Sequence, residues 1–141
     1  MAVLLVEDDP MIRLTLADIF EESGLQVFDA GDSKEALKIL NEPNQAIDIL
    51  VTDLDLGPGD NGIALAHQAK RLLPNLRVIY ATGSPEILDG HTFGAWEKVF
   101  LKPFYPSFLV AAVVAMNEQK RPPHSARPRP VAAEIAFATG L

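Results

Sequence analysis

Five apolar runs alternate with helical patterns along this chain, which predicts an α/β fold with helices wound over a parallel sheet. Two further observations support that class. The third run, about Ile47–Thr52, is rich in Ile, Leu and Val, as a central strand covered on both faces must be. Polar residues also end the runs: Glu7 and Asp8 after the first, Asp53 after the third, Thr82 after the fourth and Lys102 after the fifth. In an open parallel sheet those positions share one rim, outside the carboxyl ends of the strands.

The elements follow in order. Ala2–Val6 is the first strand. Asp9 then caps a helix with Pro10 at its first position. Ile12, Leu16, Ile19 and Phe20 repeat at helical spacing on its inner face, and Gly24 ends it. Gln26–Ala30 is the second strand. Asp32 with Glu35 three residues on starts helix two, where Ala36, Leu37, Ile39 and Leu40 face inward. Helix three runs from Gly62 to Leu73 with Leu65, Ala66, Ala69, Leu72 and Leu73 as its apolar stripe, and Pro74 stops it. Arg77–Ala81 is the fourth strand. Ser84-Pro85 starts a helix that Asp89-Gly90 and Phe93-Gly94 cut short, so helix four is expected to be brief and mobile. Lys98–Leu101 is the fifth strand, and helix five begins near Pro106-Ser107.

Helix five carries nine consecutive apolar residues, Phe108 to Met116. Two readings stand. Its alanines (Ala111, Ala112, Ala115) need no solvent face, or Val110 and Val114 form a partner or self-association surface. Beyond residue 117 the composition turns to Pro122-Pro123 and Arg127-Pro128-Arg129-Pro130, the pattern of an extended, solvated tail. The expected division is therefore a domain at 1–117 and a Pro/Arg-rich disordered tail at 118–141.

At 141 residues and 48% apolar content the chain suits one globular domain with a real core. No apolar stretch approaches the roughly 20 residues that span a bilayer. The N-terminus reaches Glu7 with no basic region, unlike a secretory signal. Cysteine is absent, which excludes disulfides and thiolate metal sites and fits a cytoplasmic home. Residues 1–116 hold 17 acids against 8 bases, whereas residues 117–141 hold 2 against 4. So acidic a body argues against direct DNA binding, because phosphate neutralisation supplies most of that affinity.

The rim residues imply a chemistry. Carboxylates crowded without a cation repel: unit charges 4 Å apart cost about 4 kcal/mol at an effective dielectric near 20. A divalent metal such as Mg²⁺, which takes oxygen ligands and needs only one or two carboxylates, relieves that crowding. With the Lys102 ammonium it leaves Asp53 ionised and nucleophilic toward phosphorus. Lys102 and the Thr82 hydroxyl would support charge on a transferred phosphoryl group. The ordinary explanation, acids as helix caps or solvated loop residues, suits Asp9 and Asp60. His67, His91 and His124 lack ligand spacing, Trp96 reads as a loop anchor, and Gly57-Pro58-Gly59 lacks the lysine of a nucleotide phosphate loop.

Leu5-Val6-Glu7-Asp8-Asp9-Pro10, Thr52-Asp53, Ala81-Thr82-Gly83 and Lys102-Pro103-Phe104 together resemble the receiver domain of bacterial two-component response regulators, over about residues 2–117. The resemblance implies a flavodoxin-like, five-stranded doubly wound sheet in the order 2-1-3-4-5. It makes Asp53 the phosphoacceptor and Asp8 a direct Mg²⁺ ligand, with Glu7 acting through water and the Asp55 backbone carbonyl as a further ligand. Thr82 would grip the phosphoryl group, Lys102 would pair with it, and Lys102-Pro103 is similar to the family's cis-proline junction. The partners implied are a sensor histidine kinase or a histidine phosphotransfer protein, and an unknown downstream protein.

The chain also departs from that family. The loop from Asp53 to Gly62 is one residue longer than usual, and Val99 stands where many receivers carry a switch aromatic. With helix four shortened, these traits are similar to small stand-alone receivers that signal by protein contact, and the tail is too short for a helix-turn-helix module. The side chain of Asp55, two residues past the nucleophile, either influences phosphate loss or simply faces solvent. A competing class is a haloacid-dehalogenase-type phosphatase with Asp53 as nucleophile and Asp55 as general acid. Against it, the metal-binding acidic pair comes first in this chain, and there is no cap insertion. A third reading is an unphosphorylated adaptor that keeps the fold.

Overall fold

A computed structural model describes residues 1–118, 129–130 and 135–136. Strands and helices alternate: β1 (Ala2–Val6), α1 (Pro10–Glu22), β2 (Gln26–Ala30), α2 (Ser33–Leu40), β3 (Ile49–Asp53), α3 (Gly62–Leu72) and β4 (Arg77–Thr82). A single 3-10 turn, Pro85–Leu88, then leads through β5 (Thr92–Phe93) into β6 (Glu97–Leu101) and α4 (Pro106–Glu118). The five alternating strands lie parallel in the order β2-β1-β3-β4-β6, which is the expected 2-1-3-4-5 arrangement with β6 as its fifth member. Where a shortened helix four was expected there is no α-helix. Its place is held by the 3-10 turn, which runs into Asp89 and the positive-φ Gly90.

The helix starts follow from their caps. Asp9 accepts from the amides of Met11 and Ile12, Asp32 from that of Glu35, and Asn61 from that of Ala64. Alternation along each strand divides the apolar side chains between two faces. One layer joins Leu4, Val6, Leu50, Val78, Tyr80 and Val99 to α2, α3, Leu88 and Phe93. The other joins Val3, Leu5, Val51, Ile79, Ala81 and Phe100 to α1 and α4.

Two inward assignments are corrected by this packing, and one buried residue is added. Ile12 and Leu72 are exposed, because each lies at a helix end beyond the sheet it would cover, and Ile63 is buried in the first turn of α3 instead. In α4 the buried residues are Leu109, Val113 and Met116. Val110 is half-buried against the core, while Val114 is 37% exposed and Phe108 is 51% exposed. The apolar run of this helix thus has an unburied side.

Most of the expected disordered tail lies outside the described residues. Two short pieces of it are strands. Arg129–Pro130 (β7) pairs antiparallel with Thr92–Phe93, and Ile135–Ala136 (β8) pairs parallel with Val99–Phe100. The Ile135–Ala136 pairing covers the open edge of β6.

Register brings the strand ends level. Val6 is opposite Thr52, Asp53 opposite Ala81, and Thr82 opposite Leu101. The residues that follow β1 and β6 therefore meet the last residues of β3 and β4 at one rim.

Candidate functional site

Each rim residue reaches the site through a local feature of the chain. Glu7 leaves β1 with its amide bonded to the Ala30 carbonyl, 3.1 Å away, so the strand ladder continues one residue past β1. Its side chain is buried, at 3% exposure, while the neighbouring Asp8 is exposed. Asp53 ends β3. The buried Thr52 hydroxyl donates to the Asp53 carbonyl at 2.8 Å, which pins the peptide that carries the carboxylate. Lys102 follows β6 with its amide bonded to the Thr82 carbonyl at 2.8 Å, and a cis Lys102–Pro103 bond turns the chain away behind it.

Lys102 joins the two strand ends. Its Nζ donates to Glu7 Oε1 and to Asp53 Oδ2, each at 2.9 Å. Burial works against its charge, but the hydrogen bonds it donates to Asp53 and Glu7 outweigh that and move its pKa upward. Glu7 responds oppositely. Burial raises its pKa, the Lys102 contact only partly offsets this and Asp53 adds repulsion, so the carboxyl is pushed up to about 7. The second Glu7 oxygen, Oε2, is buried with no hydrogen-bond partner among the described residues. A buried carboxylate oxygen without a partner, beside other carboxylates, fits the position of a cation ligand.

Glu7, Asp8 and Asp53 each offer an oxygen, and these oxygens all lie within 4.8 Å of one another. An all-oxygen donor set of this kind fits a hard divalent cation of the magnesium or calcium type. The structure thus brings together the three carboxylates singled out in the sequence and adds Lys102 to them. Thr82 closes the neighbouring strand and is 1% exposed; its hydroxyl oxygen accepts from the Ser84 amide at 2.9 Å. A hydroxyl that accepts there keeps its one proton for an oxyanion. The Asp55 amide donates to Asp53 Oδ1 at 3.2 Å, while its own carboxylate accepts from the Gly57 amide at 3.1 Å. That carboxylate is thus engaged in folding the long loop. Val99, at the switch-aromatic position, is fully buried.

Supporting residues went unseen in the sequence. Arg13 Nη1 donates to the Glu7 carbonyl at 2.7 Å, and its Nε lies 3.4 Å from Asp29, so it holds the first acidic turn from behind. Asp60, read as a cap or solvated residue, accepts from the Ser33 amide at 2.9 Å and from its hydroxyl, which ties the loop after Asp53 to the start of α2. Gly62 has no room for a side chain: a Cβ there would stand 2.1 Å from the Asp53 carbonyl oxygen. The only advance signal was its place in Asn61-Gly62 at a helix start.

An open groove of about 500 Å³ adjoins the rim. Met11, Ile12 and Leu16 line one side, and Pro103, Phe104 and Pro106 the other, with Lys102 at its edge. Among the described residues, no helix is long and apolar enough to cross a membrane.

Comparison with known proteins agrees with this geometry. A family model described as "Response regulator receiver domain" matches residues 3–114. The chain is 36% identical over 110 residues to the aerobic respiration control protein ArcA of Escherichia coli K12, covering 76% of this chain and 44% of that one. It therefore spans less than half of that relative. It is 32% identical over 105 residues to the sporulation initiation phosphotransferase F of Bacillus subtilis, covering 72% of this chain and 82% of that one. Among solved structures, the non-phosphorylated HemR receiver domain of Leptospira biflexa superposes with a TM-score of 0.71 at 32% identity, covering 87% of this chain and 98% of the other. None of this supports a phosphatase of the haloacid-dehalogenase type. Strand order, rim chemistry and kinship agree, and the chain belongs to the response regulator receiver domain family of two-component systems.

Proposed function

We propose that this receiver accepts a phosphoryl group on Asp53 from a phosphohistidine of a sensor histidine kinase or a histidine phosphotransfer protein, and signals by contact with a downstream protein. The observation that carries the proposal is Lys102 bound at 2.9 Å to Asp53 beside a buried, unpartnered Glu7 oxygen. An Asp53 oxygen attacks phosphorus, the new O–P bond forms as the P–N bond breaks, and the released imidazole takes up a proton. Lys102 pairs with the carboxylate and then faces the phosphoryl oxygens, and Thr82 donates its hydroxyl proton to one of them. Asp8 and Asp53, with Glu7 through water and the Asp55 carbonyl, would hold Mg²⁺. Once bound, the ion neutralises charge on the phosphoryl oxygens. The reaction is stoichiometric labelling rather than turnover of a substrate.

The groove beside Lys102 suits an apolar helix that presents the donor histidine at the rim. The unburied side of α4, around Phe108 and Val114, suits the downstream protein or a second copy of the chain.

The test is intact-mass measurement after incubation with acetyl phosphate and Mg²⁺. One added phosphoryl group is expected, absent in Asp53→Asn and absent with chelator. An adduct that survives in Asp53→Asn would overturn the assignment, and steady turnover of a phosphate monoester would revive the phosphatase.

A further inference from the structure

Tyr80 is the largest fully buried side chain among the described residues, and the phosphoryl chemistry proposed above does not use it. It lies two residues before Thr82 on β4, so the two side chains point to the same face of the sheet. Its ring packs on Phe93 with centroids 5.0 Å apart, and its hydroxyl lies 3.4 Å from Glu97 Oε2. The phenol is kept protonated, first by burial and then by the Glu97 charge, so it is the donor in that contact. The same carboxylate pairs with Lys70 of α3 and accepts from the Gly94 amide at 3.4 Å through Oε1. Tyr80 is opposite Val99 on β6, which is too small to bridge strand and surface on its own.

β4 is therefore linked to the Ser84–Glu97 segment at three heights. Thr82 holds the Ser84 amide, Tyr80 holds Phe93 and Glu97, and at the base Arg77 stacks on Trp96 at 4.5 Å while the Val78 amide bonds the Trp96 carbonyl. Only the first of these is at the rim. Tyr80 is the next side chain on that face of β4, so it is the first to feel a displacement of Thr82. Its stiff ring and fixed hydroxyl then pass the shift to Glu97 and Phe93.

We propose that Tyr80 is the positioning residue that carries a change at the Asp53 rim to the Thr92–Glu97 surface, through its ring contact with Phe93 and its hydrogen bond to Glu97. It transmits by translation of a fixed side chain, with no rotation of an aromatic at position 99. The proposal rests on Asp53 being the phosphoacceptor.

Hydrogen exchange with and without beryllofluoride and Mg²⁺ tests it, in the full chain and in Tyr80→Phe, which keeps the ring and removes only the hydroxyl. In the full chain the mimic is expected to change exchange both at the rim (Thr82–Ser84, Lys102) and at Thr92–Glu97. Tyr80→Phe should keep the rim response and lose about fivefold in the distal equilibrium, the equivalent of one hydrogen bond near 1 kcal/mol. Glu97→Gln, which keeps an acceptor, should retain more of the response than Glu97→Ala. An unchanged distal response in Tyr80→Phe overturns the inference. So does a distal surface that stays silent while the rim of the full chain responds, or a Tyr80→Phe variant that loses both. A full chain whose rim does not respond overturns the Asp53 reading, and this inference with it.

Discussion

Glu7 should make the metal-free protein lose stability as pH rises toward neutrality. Its carboxyl is pushed from an ordinary 4.5 to about 7, chiefly by burial, and one of its oxygens has no partner. Between those two values the folded chain holds a proton that the unfolded chain has released. Stability therefore falls with rising pH, the reverse of a salt-bridged acid. Below pH 4.5 the effect is absent, and above 7 it is complete. Each pH unit inside the window removes up to about 1.4 kcal/mol, which accumulates to roughly 3 kcal/mol. Set against a typical stability of about 5–15 kcal/mol, that loss is easily measured. The assay is urea denaturation in chelator from pH 5 to 8, followed by tryptophan fluorescence and circular dichroism. Glu7→Gln should be flat over that range and more stable than the parent at pH 8. Saturating Mg²⁺ should restore the parent there, because a bound cation gives the orphaned charge a partner. A metal-free parent whose stability is level or rises from pH 5 to 7 would refute the reasoning, as would a Glu7→Gln variant with the parent's slope.

Asp8→Asn should weaken Mg²⁺ binding at pH 8 more than Glu7→Gln, since a direct ligand loses charge where the other acts through water; equal affinities by calorimetric titration would contradict that ranking. Gly62→Ala should cost about 1–3 kcal/mol in denaturant and slow labelling by acetyl phosphate, because the new methyl meets the Asp53 carbonyl at 2.1 Å and must displace the peptide that carries the nucleophile. A chain ending at Glu118 should keep its labelling rate, because every rim residue lies before that point. It should exchange amide hydrogens faster at Thr92–Phe93 and Val99–Phe100, where β7 and β8 no longer pair, and a loss of labelling would show that the tail helps to build the site.

Much of this molecule is written in one dimension. Alternating apolar runs and helical stripes specify the βα units, and capping residues such as Asp9 and Asp32 specify where helices begin, because both depend on local geometry that a short window contains. The rim residues were legible for the same reason: a parallel sheet places strand ends together, so Glu7, Asp8, Asp53, Thr82 and Lys102 could be assembled before any contact was known. What lay beyond local pattern came only from the fold. Lys102 and Asp53 are 49 residues apart, and their 2.9 Å contact depends on strand register. Arg13 behind Glu7, Asp60 on Ser33, and the absent space beside Gly62 are tertiary facts with no sequence period. Ile12 and Leu72 carry the right spacing yet stay exposed, since periodicity marks a face and not how far the neighbouring layer extends. The burial that lifts the Glu7 carboxyl and the Tyr80–Glu97–Lys70 contact were also invisible in the sequence. Desolvation and long-range pairing are properties of what surrounds a side chain, and tertiary packing alone supplies the surroundings.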